Sequence, residues 1–240
     1  MTLSLIFPMA GQGARFGYRF KPFLEIDGGT FIEAAFAPFR PHLGRIARVH
    51  FVFLREQEEA HAVSKRLAAL FEGIDHRAVI LDRPTDGPAE TLAQCLTREG
   101  VEGPIVACDC DHALDVGGLM RLAAEEPTVA CALPTWDLAG EPLSAWSVAA
   151  IDADGRVTAI AEKRLPDTGR GFRGVIGCYY FADAGRLRAT VAADRRVYLS
   201  DIVRCLIDEG RVVRSVPVAT ARFFGDPARL ERAVGAGPRG

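Results

Sequence analysis

The run Leu3-Ser4-Leu5-Ile6-Phe7-Pro8-Met9-Ala10-Gly11-Gln12-Gly13-Ala14-Arg15-Phe16-Gly17 passes from an apolar segment straight into a glycine-rich loop, and Lys21-Pro22 follows shortly after. A short apolar run that stops at glycine reads as a buried strand, here over residues 3–9. Glycines directly after such a strand let backbone N–H groups approach a phosphate closely. Arg15 then supplies a planar fork for phosphate oxygens, and Lys21 a mobile point charge. The stretch therefore predicts a strand followed by a polyphosphate cradle. A dinucleotide-binding fingerprint fits less well, because it needs a helix to begin inside the loop. Here the third glycine is one position late and Arg15 stands where that helix should start. Phe20-Lys21-Pro22 also opposes a helix, since residues before proline avoid the α region. A plain structural turn would need the glycines but gives no reason for Arg15 and Lys21 beside them.

Outward from this loop, apolar runs at 46–54, 78–81, 104–108 and 128–133 read as further strands. Between them, helical spacing appears over 56–71, 88–97 (opened by Pro88) and 116–124. This alternation predicts an α/β protein with a doubly wound, mostly parallel sheet. After Pro134 the pattern changes: β-like runs at 146–151 and 156–162 flank Asp152-Ala153-Asp154-Gly155, a hairpin signal. A strand at 174–181, a helix at 198–209, a strand at 212–218 and a helix at 228–234 complete the pattern. One domain over 1–234 and a flexible tail over 235–240 are expected, with no internal repeat.

The 240 residues carry 29 basic and 31 acidic side chains, a net charge of −2, so no global field favours nucleic acid. Only Lys21, Lys65 and Lys163 are lysine; every other basic residue is arginine. Glycine is abundant at 24 residues, and much of the excess falls in loops. No apolar stretch approaches the ~18 residues of a membrane span, and residues 1–10 lack the basic n-region of a signal peptide, so a cytoplasmic protein is expected. Cysteines 95, 108, 110, 131, 178 and 205 include no Cys-x-x-Cys pair, which argues for reduced thiols and against zinc.

Gly11, Gly13, Arg15, Lys21 and Pro22, preceded by Phe7-Pro8-Met9-Ala10-Gly11, resemble the opening of the sugar-phosphate nucleotidyltransferases, also called nucleoside-diphosphate-sugar pyrophosphorylases. The similarity is to single-domain members and extends over nearly the whole chain. It implies a Rossmann-like nucleotidyltransferase fold with a small β-hairpin insertion at the sugar site. The implied reaction is attack of a sugar 1-phosphate oxygen on the α-phosphorus of a nucleoside triphosphate, with pyrophosphate leaving and Mg²⁺ as cofactor. Ala10, Gly11, Gln12 and Gly13 would then hold the triphosphate, with Arg15 and Lys21 as the catalytic cations. The acceptor phosphate is already ionised, so no general base is needed, and none of the five histidines receives a role.

Further motifs take roles from the same resemblance. Asp86-Gly87-Pro88-Ala89-Glu90-Thr91-Leu92 looks like the segment that touches the nucleotide base through Gly87, although a capped helix start explains Asp86 equally well. Asp109 and Asp111 end an apolar strand, where α/β sheets bind ligands and where paired carboxylates suit Mg²⁺. The resemblance makes Asp111 the metal ligand, with Asp109 beside it at the nucleotide; the alternative is that one of them only caps the next helix. Glu162-Lys163 resembles the pair that binds sugar hydroxyls and sugar phosphate, and Trp146 and Gly177 fall in segments like its sugar pocket. Near the C-terminus Phe223-Phe224-Gly225-Asp226-Pro227 departs from the family pattern, so Asp226 reads either as a second Mg²⁺ ligand or as a helix N-cap. Two rival functions stay open. One is a cytidylyltransferase for phosphocholine or a polyol phosphate, with Trp136 and Trp146 around a cationic headgroup. The other is a non-catalytic nucleotide-sugar-binding protein. The expected partners are a nucleoside triphosphate and a sugar phosphate, with no nucleic acid or membrane, and homo-oligomerisation is left open.

Overall fold

A computed structural model describes residues 2–138, 140–193 and 197–235. In chain order its strands are β1 (Leu3–Pro8), β2 (Glu25–Ile26), β3 (Gly29–Thr30), β4 (Ile46–Leu54), β5 (His76–Leu81), β6 (Ile105–Cys108) and β7 (His112–Leu114). They continue as β8 (Val129–Trp136), β9 (Ser147–Ile151), β10 (Val157–Glu162), β11 (Arg173–Val175), β12 (Cys178–Phe181), β13 (Val212–Pro217) and β14 (Ala221–Phe223). The helices are α1 (Phe31–Phe36), α2 (Arg55–His61), α3 (Val63–Leu70), α4 (Pro88–Arg98), α5 (Gly117–Glu125), α6 (Ala184–Ala193), α7 (Leu199–Asp208) and α8 (Pro227–Gly235). No described helix is long and apolar enough to cross a membrane. The expected tail lies, beyond Gly235, outside the described residues.

Ten strands form one sheet in the order β10-β9-β11-β8-β12-β6-β1-β4-β5, with β13 on β8. The α/β architecture is as expected, but the sheet is mixed. Strands β6, β1, β4 and β5 run parallel, as do β8 and β13, whereas β12 pairs antiparallel with both β6 and β8. Alternation along the chain reveals crossovers but not which later strand slots between two earlier ones. The hairpin of β9 and β10 is present and pairs through β11 into the main sheet, so it is an edge of that sheet and not an appendage.

Burial on both faces explains the continuous apolar runs. Leu5 and Phe7 of β1 and Val49, Phe51 and Phe53 of β4 join one core, while Ile6, Val52 and Leu54 join the core on the other face with Leu92 of α4 and Ile202 of α7. Phe7 stacks on Phe51 with ring centres 5.6 Å apart and meets Phe39 edge-on at 6.2 Å. Such pairs favour one registry of the layer over a fluid apolar contact.

Two elements expected as continuous are broken. The helix over 56–71 divides at Ala62, which adopts φ 47°. There Glu58 accepts the Ala62 amide through its carbonyl and caps the next helix by receiving the Ser64 N–H on its carboxylate at 2.8 Å. The strand over 174–181 divides at Ile176-Gly177 into β11 and β12. The Ile176 amide donates to Pro134, the Cys178 amide folds back to the Ile176 carbonyl, and the Gly177 carbonyl turns aside to accept the Asp109 amide at 2.7 Å. This bend takes one strand from β9 to β6 as a neighbour, and the Asp109 amide is bound beside it.

Candidate active site

The glycine loop follows β1, whose end is fixed when the Met9 amide donates to Val52 of β4 at 2.7 Å. Beyond it the loop bonds to itself: Phe16 and Tyr18 donate to the Gly13 carbonyl, at 2.9 and 3.1 Å. Gly13 has φ 67°, and a Cβ there would sit 2.1 Å from the Arg19 carbonyl oxygen, so only glycine fits. Among the described residues the amides of Gly11, Gln12, Gly13, Ala14 and Arg15 donate to no protein acceptor. Five successive N–H groups without a protein partner leave the loop able to receive hydrogen-bond acceptors from a ligand. The Arg15 side chain is exposed and makes no ion pair among the described residues.

Lys21 is delivered by a single 3-10 turn, Lys21–Phe23, which the proline at its second position favours. Its Nζ lies 2.7 Å from Asp111 Oδ2. The other carboxylate oxygen of Asp111 faces His112 Nδ1 at 3.5 Å, and buried His112 turns Nε2 to the Cys108 thiol at 3.6 Å. Burial alone would raise the Asp111 pKa, but the Lys21 ammonium and His112 overcome it and hold the carboxyl well below its ordinary range. Lys21 is correspondingly raised: desolvation opposes its charge, and the Asp111 carboxylate outweighs it. Asp109 behaves oppositely, pushed up to about 6 by burial and then by the charge of Asp111.

Both carboxylates rest on glycine. A Cβ on Gly177 would lie 2.1 Å from Asp109 Oδ2, and one on Gly225 would lie 2.6 Å from Asp111 Oδ2. Gly225 is brought there by β14, which pairs with β7, and by the Phe224 amide, which donates to the Asp111 carbonyl at 2.9 Å. Neither aspartate caps the following helix; Asp115 does so, accepting the Gly117 amide at 2.8 Å.

The carboxylates divide a cleft into two compartments. One, about 370 Å³, is lined by Gly11, Gly13, Arg15 and Lys21. The other, about 280 Å³, is lined by Trp146, Ser147, Glu162, Lys163, Tyr198 and Ser200. Asp109, Asp111, Arg15 and Gly225 border both. Each is near the lower end of ligand-sized cavities, roughly 300–1,000 Å³, so the pair suits two small ligands that meet at the carboxylates.

In the second compartment the Ser147 and Ser200 hydroxyls both donate to Glu162 Oε2, the latter at 2.9 Å. Lys163 takes a left-handed conformation, φ 58°, and donates its amide to the Trp146 carbonyl. That kink carries its Nζ over the Tyr198 ring, 5.1 Å from the centre and 3.3 Å from the hydroxyl. A non-glycine residue in this region costs about 1–3 kcal/mol, and such strain concentrates at functional sites. Trp136, Trp146 and Phe223 pack mutually with centres 4.7–4.8 Å apart. Arg229 lies 4.8 Å over Trp146 while bonded to Glu141 and Asp226. The two tryptophans therefore form a filled cluster, already capped by a cation of the chain itself.

Thus Gly11, Gly13, Arg15, Lys21, Asp109, Asp111, Trp146, Glu162, Lys163 and Gly177 come together, although Gly177 acts as the floor under Asp109. Ala10 packs against the core. Gln12 lines a separate hollow with Tyr18 and His61. Gly87 borders neither compartment; a Cβ there would strike the Val197 carbonyl oxygen at 2.5 Å, a packing reason for glycine. Asp226 N-caps α8: Oδ1 accepts the Arg229 amide at 2.9 Å and Oδ2 the Arg229 guanidinium at 2.9 Å. Lys65 is exposed on α3. Sequence reasoning missed Tyr198, Ser200, Arg229 and the contact of His112 with Asp111. Only Arg229 left a local signal, three residues after a candidate N-cap.

A family model described as MobA-like NTP transferase domain matches residues 6–167. No curated protein gives a significant match. Among solved structures, a nucleoside-diphosphate-sugar pyrophosphorylase from Vibrio cholerae is similar with TM-score 0.78 and 22% identity, over 96% of this chain and 99% of that one. A UDP-glucose pyrophosphorylase complexed with UDP-glucose gives TM-score 0.78 at 15% identity, over 98% of each chain. An inositol-1-phosphate CTP transferase from T. maritima gives 0.72 at 14%, over 99% of this chain and 97% of that one. These likenesses establish the fold, and the family model establishes the family.

Proposed function

Because the chain belongs to the MobA-like NTP transferase domain family and is a nucleotidyltransferase, we propose that it joins a nucleoside triphosphate to a sugar 1-phosphate, yielding a nucleoside-diphosphate sugar and pyrophosphate. The observation that carries this reading is the Asp109–Asp111 strand end, shared by a compartment of free amides and cations and one of hydroxyl-bonding groups. In this reading the Gly11–Arg15 amides and Arg15 hold the triphosphate. Lys21 sits at the α-phosphate, and Lys163 anchors the acceptor phosphate opposite it. Such transfers need alignment of two anions and neutralisation of charge more than covalent help. Glu162 and Ser200 would read acceptor hydroxyls.

The carboxylates fit Mg²⁺: two oxygen donors close one apolar strand, and burial, then the charge of Asp111, raises Asp109. Asp111 and Asp109 would hold the ion, with Asp226 committed to its helix cap. Among the described residues no group of three or more His, Cys, Asp or Glu is arranged for a metal, so the remaining ligands would be phosphate oxygens and water. Bound there, the ion would supply neutralising charge at the phosphates. The occupied Trp146 face argues against a quaternary ammonium acceptor.

The test is pyrophosphate release from a panel of nucleoside triphosphates against hexose, heptose, polyol and amino-alcohol phosphates, with Mg²⁺ and with chelator. Release with a sugar phosphate and not with phosphocholine is expected. No release with any pair, alongside measurable nucleotide-sugar binding, would sink the enzymatic reading.

A further inference from the structure

We infer that Gln57 is a positioning residue of the nucleotide site, holding the Gly11–Gln12 peptide so that its N–H serves the phosphate compartment. This rests on the reading of the glycine loop as a triphosphate cradle.

Gln57 is the third residue of α2, and its Oε1 accepts the N–H of Leu54, the residue before the helix, at 2.8 Å. For that bond to the helix start glutamate serves as well as glutamine, with a favourable charge there. The other end of the amide requires glutamine: Nε2 donates to the Gly11 carbonyl at 3.0 Å, across 46 residues of sequence. The two partners, one a donor and one an acceptor, leave a single orientation of the amide, and the side chain is buried. One side chain thus ties the end of β4 to the loop after β1.

The orientation of the loop peptide follows. In a trans peptide the C=O and the next N–H point in opposite directions. With the Gly11 oxygen held toward Gln57, the Gln12 N–H points away from α2. Gln57 borders the hollow on the α2 side of the loop, whereas Gly11 and Gly13 border the phosphate compartment, which Gln57 does not reach. Gly11 itself gives no restraint: it has no neighbour within 4 Å of a Cβ position, so its peptide is free to turn unless something grips it. Gln57 is that grip.

The experiment compares wild type, Gln57→Glu and Gln57→Met by calorimetric titration with the triphosphate that binds the wild type best, with thermal unfolding as the fold check. Gln57→Glu keeps the helix cap but sets a carboxylate against the Gly11 oxygen. It should fold as wild type and bind triphosphate about tenfold more weakly at pH 8, the weight of one oriented hydrogen bond. The loss should shrink near pH 5.5, where a protonated carboxyl again donates. Gln57→Met should show the loss without the pH rescue, and acceptor KM should move in neither. Wild-type triphosphate affinity in a folded Gln57→Glu or Gln57→Met variant, or equal losses for both substrates, would overturn the inference. A wild type that binds triphosphate but releases no pyrophosphate would refute the proposed reaction and leave the Gln57 result standing.

Discussion

Replacing Gly177 by alanine puts a methyl group where the Asp109 carboxylate now sits. The added Cβ would lie 2.1 Å from Asp109 Oδ2, and ordinary contact begins near 3.4 Å, so the carboxylate must retreat by about 1.3 Å. Gly177 is not in the left-handed region, so the substitution adds no backbone strain. Displacing a group by about 1 Å at a reacting centre costs roughly 10²-fold, or about 2.7 kcal/mol of barrier. Asp109 borders the cleft and is not sealed in the core, so the stability loss should stay near 1 kcal/mol, a few degrees in Tm. The assay is kcat/KM for pyrophosphate release beside a calorimetric Tm, with Gly44→Ala as control, since a Cβ there meets nothing within 4 Å. Gly177→Ala at wild-type kcat/KM would refute the placement of Asp109 at the chemistry. A rate loss that merely tracks unfolding would refute it equally.

Lys21→Ala and Asp111→Ala should each lower kcat by roughly 10³-fold or more and also lower Tm, because each leaves its partner largely buried and unpaired; near-normal rates in either would show the site is misplaced. Lys21→Arg and Lys163→Arg should also be impaired, since a planar fork does not replace a point charge between phosphates; full activity in both would remove the meaning of the lysine positions. Gly11→Ala should fold normally, as a Cβ there meets no protein atom, yet raise the triphosphate KM, which titration of initial rates would measure. Buried His50 is lowered to about 4 by burial and then by Arg48. Its folded pKa lies below the unfolded value, so its neutral form contributes stability that is complete above pH 6.5 and lost as pH falls toward 4, about 3 kcal/mol in all. His50→Leu should therefore flatten the stability profile between pH 6.5 and 4.5 in urea melts, and an unchanged profile would refute the assignment.

Local patterns were legible where one segment decides the outcome. The strand over 46–54 and the helix opened by Pro88 stand where periodicity and proline placed them. So does the glycine loop, whose Gly13 end bonds to itself. Features made by distant partners were not legible. The break at Ile176-Gly177 depends on β8, β9 and β6 all claiming one strand. Helix α6 buries only Ala184 and Leu187 and so shows no apolar stripe. Asp226 meets Arg229, and Gly87 meets Val197, through contacts that no spacing encodes. Lys21 and Lys163, the lysines singled out by an arginine-rich composition, do border one cleft, while Lys65 does not.

The bent strand also sets a timetable for synthesis. Strand β6 leaves the ribosome with β1 ready on one side, but its other edge waits for Cys178–Phe181, about 70 residues later. At translation rates of roughly 5–20 residues per second that interval lasts several seconds. Throughout it a four-residue apolar edge, Ile105–Cys108, stands open to pairing with other nascent chains. Asp109 meanwhile lacks the Gly177 carbonyl that holds its amide. The parallel strands β6, β1, β4 and β5 can thus pair early, yet Asp109 is held in place only when the antiparallel half closes the sheet. Variants that weaken β12 should appear first as poor soluble yield, before any purified enzyme shows a kinetic defect.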